Sequence, residues 1–174
     1  MILNLAFTFD DYFRHPRVKI GIDNKILYDG PVQSSHAFDC KLSDGPHSIW
    51  ITHYDKDLHE TNSEHDTHIN IESIVFDGVD LDQLDYCKLT HRGRFYPDYA
   101  ESYRASCLES ATHLPEYIQP NHYLGHNGTW YLDFDTPELL WIITEQNPSG
   151  MHLEDTMFST SSAVLTEIKN FFKL

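Results

Sequence analysis

Chemistry-bearing side chains are densest in "DLHETNSEHDTH", Asp57 to His68, which holds two aspartates, two glutamates and three histidines in twelve residues. Hard oxygen donors at this density are what calcium or magnesium takes; zinc asks instead for several closely spaced histidines, and no recognised zinc spacing occurs here. If residues 66 to 76 form a strand, Asp66, His68, Asn70 and Glu72 share one face and His65 points away from Asp66 and His68. Asp66 and Glu72 are then roughly 20 Å apart and cannot share an ion, whereas Asp66 and His68 are about 7 Å apart and can. Glu60, Asn62 and Glu64 are the loop partners expected to complete such a site. Three outcomes stay open: a hydrated crossover loop with no ion, ranked first; a hard cation, calcium foremost; and a transition-metal or catalytic site.

Other candidate chemistry is sparser. Asp133 and Asp135 alternate onto one face of "YLDFD". A carboxylate pair can serve glycoside hydrolysis, but the solvent face of a strand is the commoner reason for the pattern. Tyr96, Tyr99, Tyr103 and Tyr117 fall in one polar stretch and suit either a binding surface or a cover over the sheet. No GxSxG, HExxH or Gly-rich phosphate loop is present, so an enzyme is not expected. Asn127-Gly128-Thr129 matches a glycosylation sequon, a motif too short to mean much by itself.

The elements that must position these residues read as β through the first 80 residues. Leu3, Leu5, Phe7 and Phe9 alternate with polar neighbours, as do Val18, Ile20 and Ile22; Asp23-Asn24 then turns the chain into "KILY". Phe38, Cys40 and Leu42 share a face; after Asp44-Gly45, Ile49 and Ile51 oppose Trp50, Thr52 and Tyr54. In "HINIESIVF" the apolar face is expected to be Ile69, Ile71, Ser73 and Val75. Residues 82 to 121 show no sustained period and read as a long excursion with a short helix around Tyr99 to Leu108. "GTWYLDF" and "LLWIIT" are expected to form a second hairpin, and Trp50, Trp130 and Trp141 to lie in the core. "SSAVLTEIKNFFKL" fits a C-terminal helix capped by Ser161 or Ser162, with a final edge strand as the alternative. The expectation is one all-β domain over residues 1 to 174, an antiparallel sandwich of jelly-roll type with a loop-rich insertion.

Bulk properties narrow the partners. The formal charge is −15, which repels phosphate backbones and anionic membrane surfaces, so neither nucleic acid nor membrane is expected. Twelve histidines would reduce that charge in acid. Three cysteines without a CxxC pair argue against a disulfide framework or a Cys-based zinc site and suit a reducing compartment. "MILNLAFTFDDYF" lacks a basic region and meets acid by Asp10, so neither signal peptide nor transmembrane segment is expected.

Residues 17 to 81, in "RVKIGIDNKILYDG", "FDCKLSDGPHSIWITHYD" and "DTHINIESIVFDGVDL", resemble the calcium-dependent xylan-binding-type carbohydrate-binding modules. That resemblance implies a β-sandwich, with calcium held near Asp66 at the head of a strand and contacting sugar hydroxyls. The second acidic position is Glu72 in place of Asp, and Asn70 stands where an aromatic is usual. The broader layout, "DGPHSIWITHYDKD", "INIESIVFDGVDLD" and "YLGHNGTWYLDFDTPELLWI", is similar to small proteins of tailed, especially marine, bacteriophages. This implies a non-catalytic virion structural or accessory protein, made in the host cytoplasm and bound to other virion proteins. The alternatives are a calcium-dependent module for host surface glycans and, last, a glycan-active enzyme; self-association is open.

Overall fold

The computed structural model describes residues 1–62, 64–84, 92–119 and 121–146. Strands β1 (Ile2–Phe9), β4 (Ser35–Asp39), β6 (Ile69–Phe76), β7 (Val79–Asp80) and β9 (Tyr123–Leu124) form one five-stranded sheet, in the order β4-β1-β6-β7 with β9 also on β6. Strands β2 (Arg17–Ile22), β3 (Lys25–Pro31), β5 (Gly45–Tyr54), β8 (Arg94–Pro97) and β10 (Gly128–Thr136) form the other, in the order β3-β2-β5-β10-β8. All pairings are antiparallel, and the chain shuttles repeatedly between the sheets, as in a jelly-roll-type sandwich.

Period-two alternation is what closes the sandwich. Leu3, Leu5 and Phe7 of β1 and Ile69, Ile71, Ile74 and Phe76 of β6 meet Val18, Ile20, Ile49, Ile51, Trp130, Leu132 and Phe134 of the facing sheet in one buried cluster. Phe76 and Phe134 join the two sheets with ring centroids 4.9 Å apart. Each such side chain, fully buried, contributes about 1.5–3 kcal/mol over its exposed state. The Asp23-Asn24 turn forms as expected: Asp23 takes φ 51°, which Asp tolerates, and its side chain accepts a 2.9 Å hydrogen bond from the Ser48 amide.

Several sequence expectations are corrected. In β6 the buried face passes from Ile71 to Ile74 and Phe76, not to Ser73 and Val75. The register explains it: Ala6 pairs with Ser73 but Phe7 with Ile71, so Glu72 is an extra residue in a β-bulge, which exchanges the faces beyond it. "LLWIIT" is not a strand but part of helix α2 (Glu138–Gln146), which places Leu139, Trp141 and Ile142 against the core. A short apolar run is compatible with either state; here the Pro137 carbonyl accepts from the Leu140 and Trp141 amides and starts a helix. β10 therefore pairs with β5 and β8 instead. Trp130 and Trp141 are buried, but Trp50 faces outward, its ring laid over Gly21, where a Cβ would stand 2.2 Å from the indole. The excursion contains a strand, β8, as well as the expected helix, α1 (Glu101–Glu109). Its residues 85–91 and the C-terminal segment expected as a helix lie outside the described residues.

Strand register gathers one end of the sandwich. Gly128 at the start of β10 pairs with His53 near the end of β5 and with Pro97 at the end of β8, while Leu124 of β9 pairs with Ile69 at the start of β6. Lys56, Asp66, Asp98 and Asn127, each just beyond one of these strand ends, are thereby brought to the same rim.

Candidate binding cleft

The polar stretch from Asp57 builds its own scaffold. The Asp57 carboxylate accepts from the His59 amide at 3.1 Å and the Asp57 amide donates to Glu60 Oε1 at 3.2 Å, a capping box around the 3-10 turn Leu58–Glu60. Asn62 Oδ1 accepts from the amides of Glu64 and His65, both at 2.8 Å, and the Asn62 amide donates to the His65 carbonyl at 2.8 Å. Thr61 and Asp66 then form an isolated β-bridge. Much of the stretch's polarity therefore serves backbone groups that no sheet satisfies.

Asp66 is the centre of the rim. Its carboxylate accepts from Lys56 Nζ at 2.5 Å, from Tyr123 Oη at 2.6 Å and from the Thr61 hydroxyl. Lys56 Nζ also donates to the Gly125 carbonyl. The Lys56 side chain is 8% exposed and that of Asp66 27%. Asn127 fixes the Lys56 backbone from both sides, accepting its N–H at 2.9 Å and donating to its carbonyl at 3.0 Å. This commits the side-chain amide of the sequon asparagine. Burial by itself would raise the Asp66 pKa, but the donated bonds from Lys56, Thr61 and Tyr123 outweigh it and hold the carboxyl below its usual range. The Tyr123 hydroxyl is pushed the other way, by burial and by the adjacent carboxylate.

Around this cluster lies a cleft of about 690 Å³, lined by Lys56, Thr61 and Asp66, by Ser102, Tyr103 and Ser106 of α1, and by Tyr123, Gly125, His126 and Asn127. Tyr103 is 43% exposed and stacks on Tyr99 at 5.8 Å between centroids, with the His126 ring 5.4 Å away. Tyr99 is buried beneath it, and the Arg104 Nε–H donates to the Tyr99 carbonyl at 2.8 Å. Burial, reinforced by the Lys56 charge, lowers the His126 pKa, so this ring is a neutral donor–acceptor at neutral pH.

The expected cation ligands are not drawn together. Glu60 Oε1 receives Arg14 Nε at 2.5 Å. Asn62 holds its turn, and His68 Nδ1 lies 2.6 Å from the Asp66 carbonyl with its ring 5.0 Å from that of Tyr123. Glu64 is exposed. Among the described residues, no group of three or more His, Cys, Asp or Glu side chains is arranged to hold a metal ion. Asp66 is matched to an ammonium, and an added positive charge ~4 Å from that ammonium would meet a repulsion of about 4 kcal/mol per unit charge near the surface.

The four tyrosines divide into two sets. Tyr103 lines the cleft with Tyr99 packed against it, whereas Tyr96 packs against Tyr117 and Tyr131 on the outer face of sheet β3-β2-β5-β10-β8, with centroids 5.5 and 5.6 Å away. Tyr96 and Tyr131 line a second, shallower cleft of about 600 Å³. Asp133 and Asp135 sit on the exposed face of β10, and Asp133 pairs with Arg94. Lys56, Thr61, Tyr123, Gly125 and His126 were not singled out by sequence reasoning. The one available signal was Lys56 itself, a lone cation in the acidic run from Asp55 to Asp66.

No protein-family model matches the chain, and no curated protein does. Among solved structures, the chain is similar to one described as vCBM60 in complex with galactobiose, with a TM-score of 0.47 and 9% identity over 78% of this chain and 98% of that one.

Proposed function

We propose that this protein is a non-catalytic β-sandwich binding module whose cleft takes a glycan. The observation that carries this reading is that the exposed Tyr103 ring and the Lys56–Asp66–Tyr123 network line the same cleft. An aromatic face accepts the apolar C–H face of a sugar ring, while fixed donors and acceptors around it select hydroxyls. Lys56 and Asp66 cancel each other's charge while Asp57 and Asp98 add negative charge to the lining, which suits a neutral polyol better than an anionic ligand. Ser102, Ser106 and His126 add uncharged partners along the walls. Affinity electrophoresis against soluble polysaccharides, with and without Tyr103→Ala, tests the reading. Retardation by a glycan that Tyr103→Ala abolishes is expected; no retardation by any neutral glycan would count against it.

A second reading keeps the module in a phage particle, held by a protein partner. Tyr96, Tyr117 and Tyr131 favour it, because clustered tyrosines on an outer sheet face suit a protein contact. Mass spectrometry of purified particles tests this reading, and absence of the chain from them would remove it.

A further inference from the structure

We infer that Lys56 is the resident cation of the cleft, so that the ligand is bound without a metal ion. This rests on the glycan reading for the nature of the ligand but not for the role of Lys56. The ammonium lies between the Asp66 carboxylate and the Gly125 carbonyl, both of them hard oxygen donors of the kind calcium takes. It is nearly removed from solvent, and the Asn127 side chain clamps its backbone on both sides, so its position is built rather than adventitious. Thr61 and Tyr123 occupy further lone pairs of Asp66, Glu60 Oε1 is taken by Arg14, Asn62 Oδ1 by its own turn, and His68 Nδ1 lies against the Asp66 carbonyl. Two of the three ammonium protons are used by Asp66 and Gly125, and Lys56 lines the cleft, so the third is a donor for a ligand hydroxyl.

A calcium ion at Asp66 would have to displace this ammonium. Removing the ammonium should do the opposite and leave a carboxylate and a carbonyl facing an empty, electronegative position. The site would then answer to calcium where the native protein does not.

The test is thermal unfolding of the full chain in calcium chloride and in EDTA, for the native protein and for Lys56→Met, with sodium chloride of matched ionic strength as control. The native melting temperature should be unchanged by either addition. Lys56→Met should melt several degrees lower and be partly restored by calcium but not by sodium. A native protein that calcium stabilises by several degrees, or a folded Lys56→Met indifferent to calcium, would overturn the inference. Should Lys56→Met fail to fold, the native arms still decide. A xylohexaose titration in EDTA separates the two ideas. Binding that survives EDTA supports the inference, and binding lost in EDTA and restored by calcium overturns it while sparing the glycan reading. No binding in either condition counts against the glycan reading alone, and the melting arms still judge Lys56.

Discussion

Lys56 Nζ lies 2.5 Å from Asp66 Oδ1, joining the end of β5 to the head of β6 across a separation of ten residues. Breaking a buried ion pair on one side leaves an uncompensated charge, whereas removing both partners does not. Asp66→Asn should therefore cost about 2 kcal/mol, less than a fully buried pair because Asp66 keeps some solvent contact. The double variant Asp66→Asn, Lys56→Met should cost less than the sum of the single ones. Urea unfolding of the four proteins in a double-mutant cycle checks this; strict additivity would show that the pair is not coupled.

His53 should make the fold acid-labile. It is 1% exposed, its Nδ1 lies 3.0 Å from the Leu124 carbonyl, and its Nε2 has no partner within hydrogen-bond distance among the described residues. Burial, with the nearby Lys56 charge adding to it, pushes its pKa down from 6.5 to about 4. The unfolded chain thus binds the proton first. This contribution to stability is fully present above about pH 6.5, is lost as pH falls toward ~4, and amounts to about 3 kcal/mol. Burial lowers His36 and His126 in the same sense. His47, raised by the Ser43 carbonyl and Asp23 against its own burial, acts oppositely, its contribution fading as pH rises through its folded pKa. Urea midpoints between ~pH 7 and ~pH 4 should fall in the native protein and fall less in His53→Phe.

Gly128 admits the close approach of β8 to β10. Its φ is +152°, and a Cβ there would stand 2.4 Å from the Tyr96 carbonyl. Gly128→Ala should destabilise by at least ~2 kcal/mol, since both backbone strain and the clash must be relieved. A melting temperature equal to that of the native protein would show that β8 can move away from β10 without cost.

The tryptophans should separate by face. Trp130 is fully buried and donates from Nε1 to the Asn121 carbonyl at 2.6 Å, so Trp130→Ala should cost about 3–5 kcal/mol. Trp50 lies on the outer face, anchored to the Asp23 carbonyl at 2.7 Å, and Trp50→Ala should cost clearly less. Calorimetry of both variants gives the ranking, and equal losses would contradict the outward placement.

The sandwich was legible because alternation is local: Leu3, Leu5, Val18, Ile20, Ile49 and Ile51 each announce their face within a few residues. The bulge at Glu72 was not, because it is a property of the pairing with β1 and not of β6 alone. "LLWIIT" misled because an apolar run this short has no period that separates strand from helix. For the cleft, Asp66 and Tyr103 were visible as residues of interest, but their partners were not. Lys56 and Asp66 are close in sequence, yet Tyr123, Gly125 and His126 arrive from far along the chain through the pairing of β9 with β6 and of β10 with β5. Most of the acidic and amide groups between Asp57 and Asp66 turned out to serve capping and turn geometry, which resembles a ligand cluster when only composition is read.

Glycan binding at the end cleft, and not on the outer sheet face, is a prediction that the free and ligand-titrated protein can decide. Amide chemical-shift mapping by NMR tests it most directly, with xylohexaose or another oligosaccharide that retards the protein titrated into the labelled chain. Saturable shifts confined to Lys56, Thr61, Tyr103, Gly125, His126 and Asn127 are the result expected. Shifts centred instead on Tyr96, Thr129 and Tyr131, with the cleft residues unmoved, would contradict it.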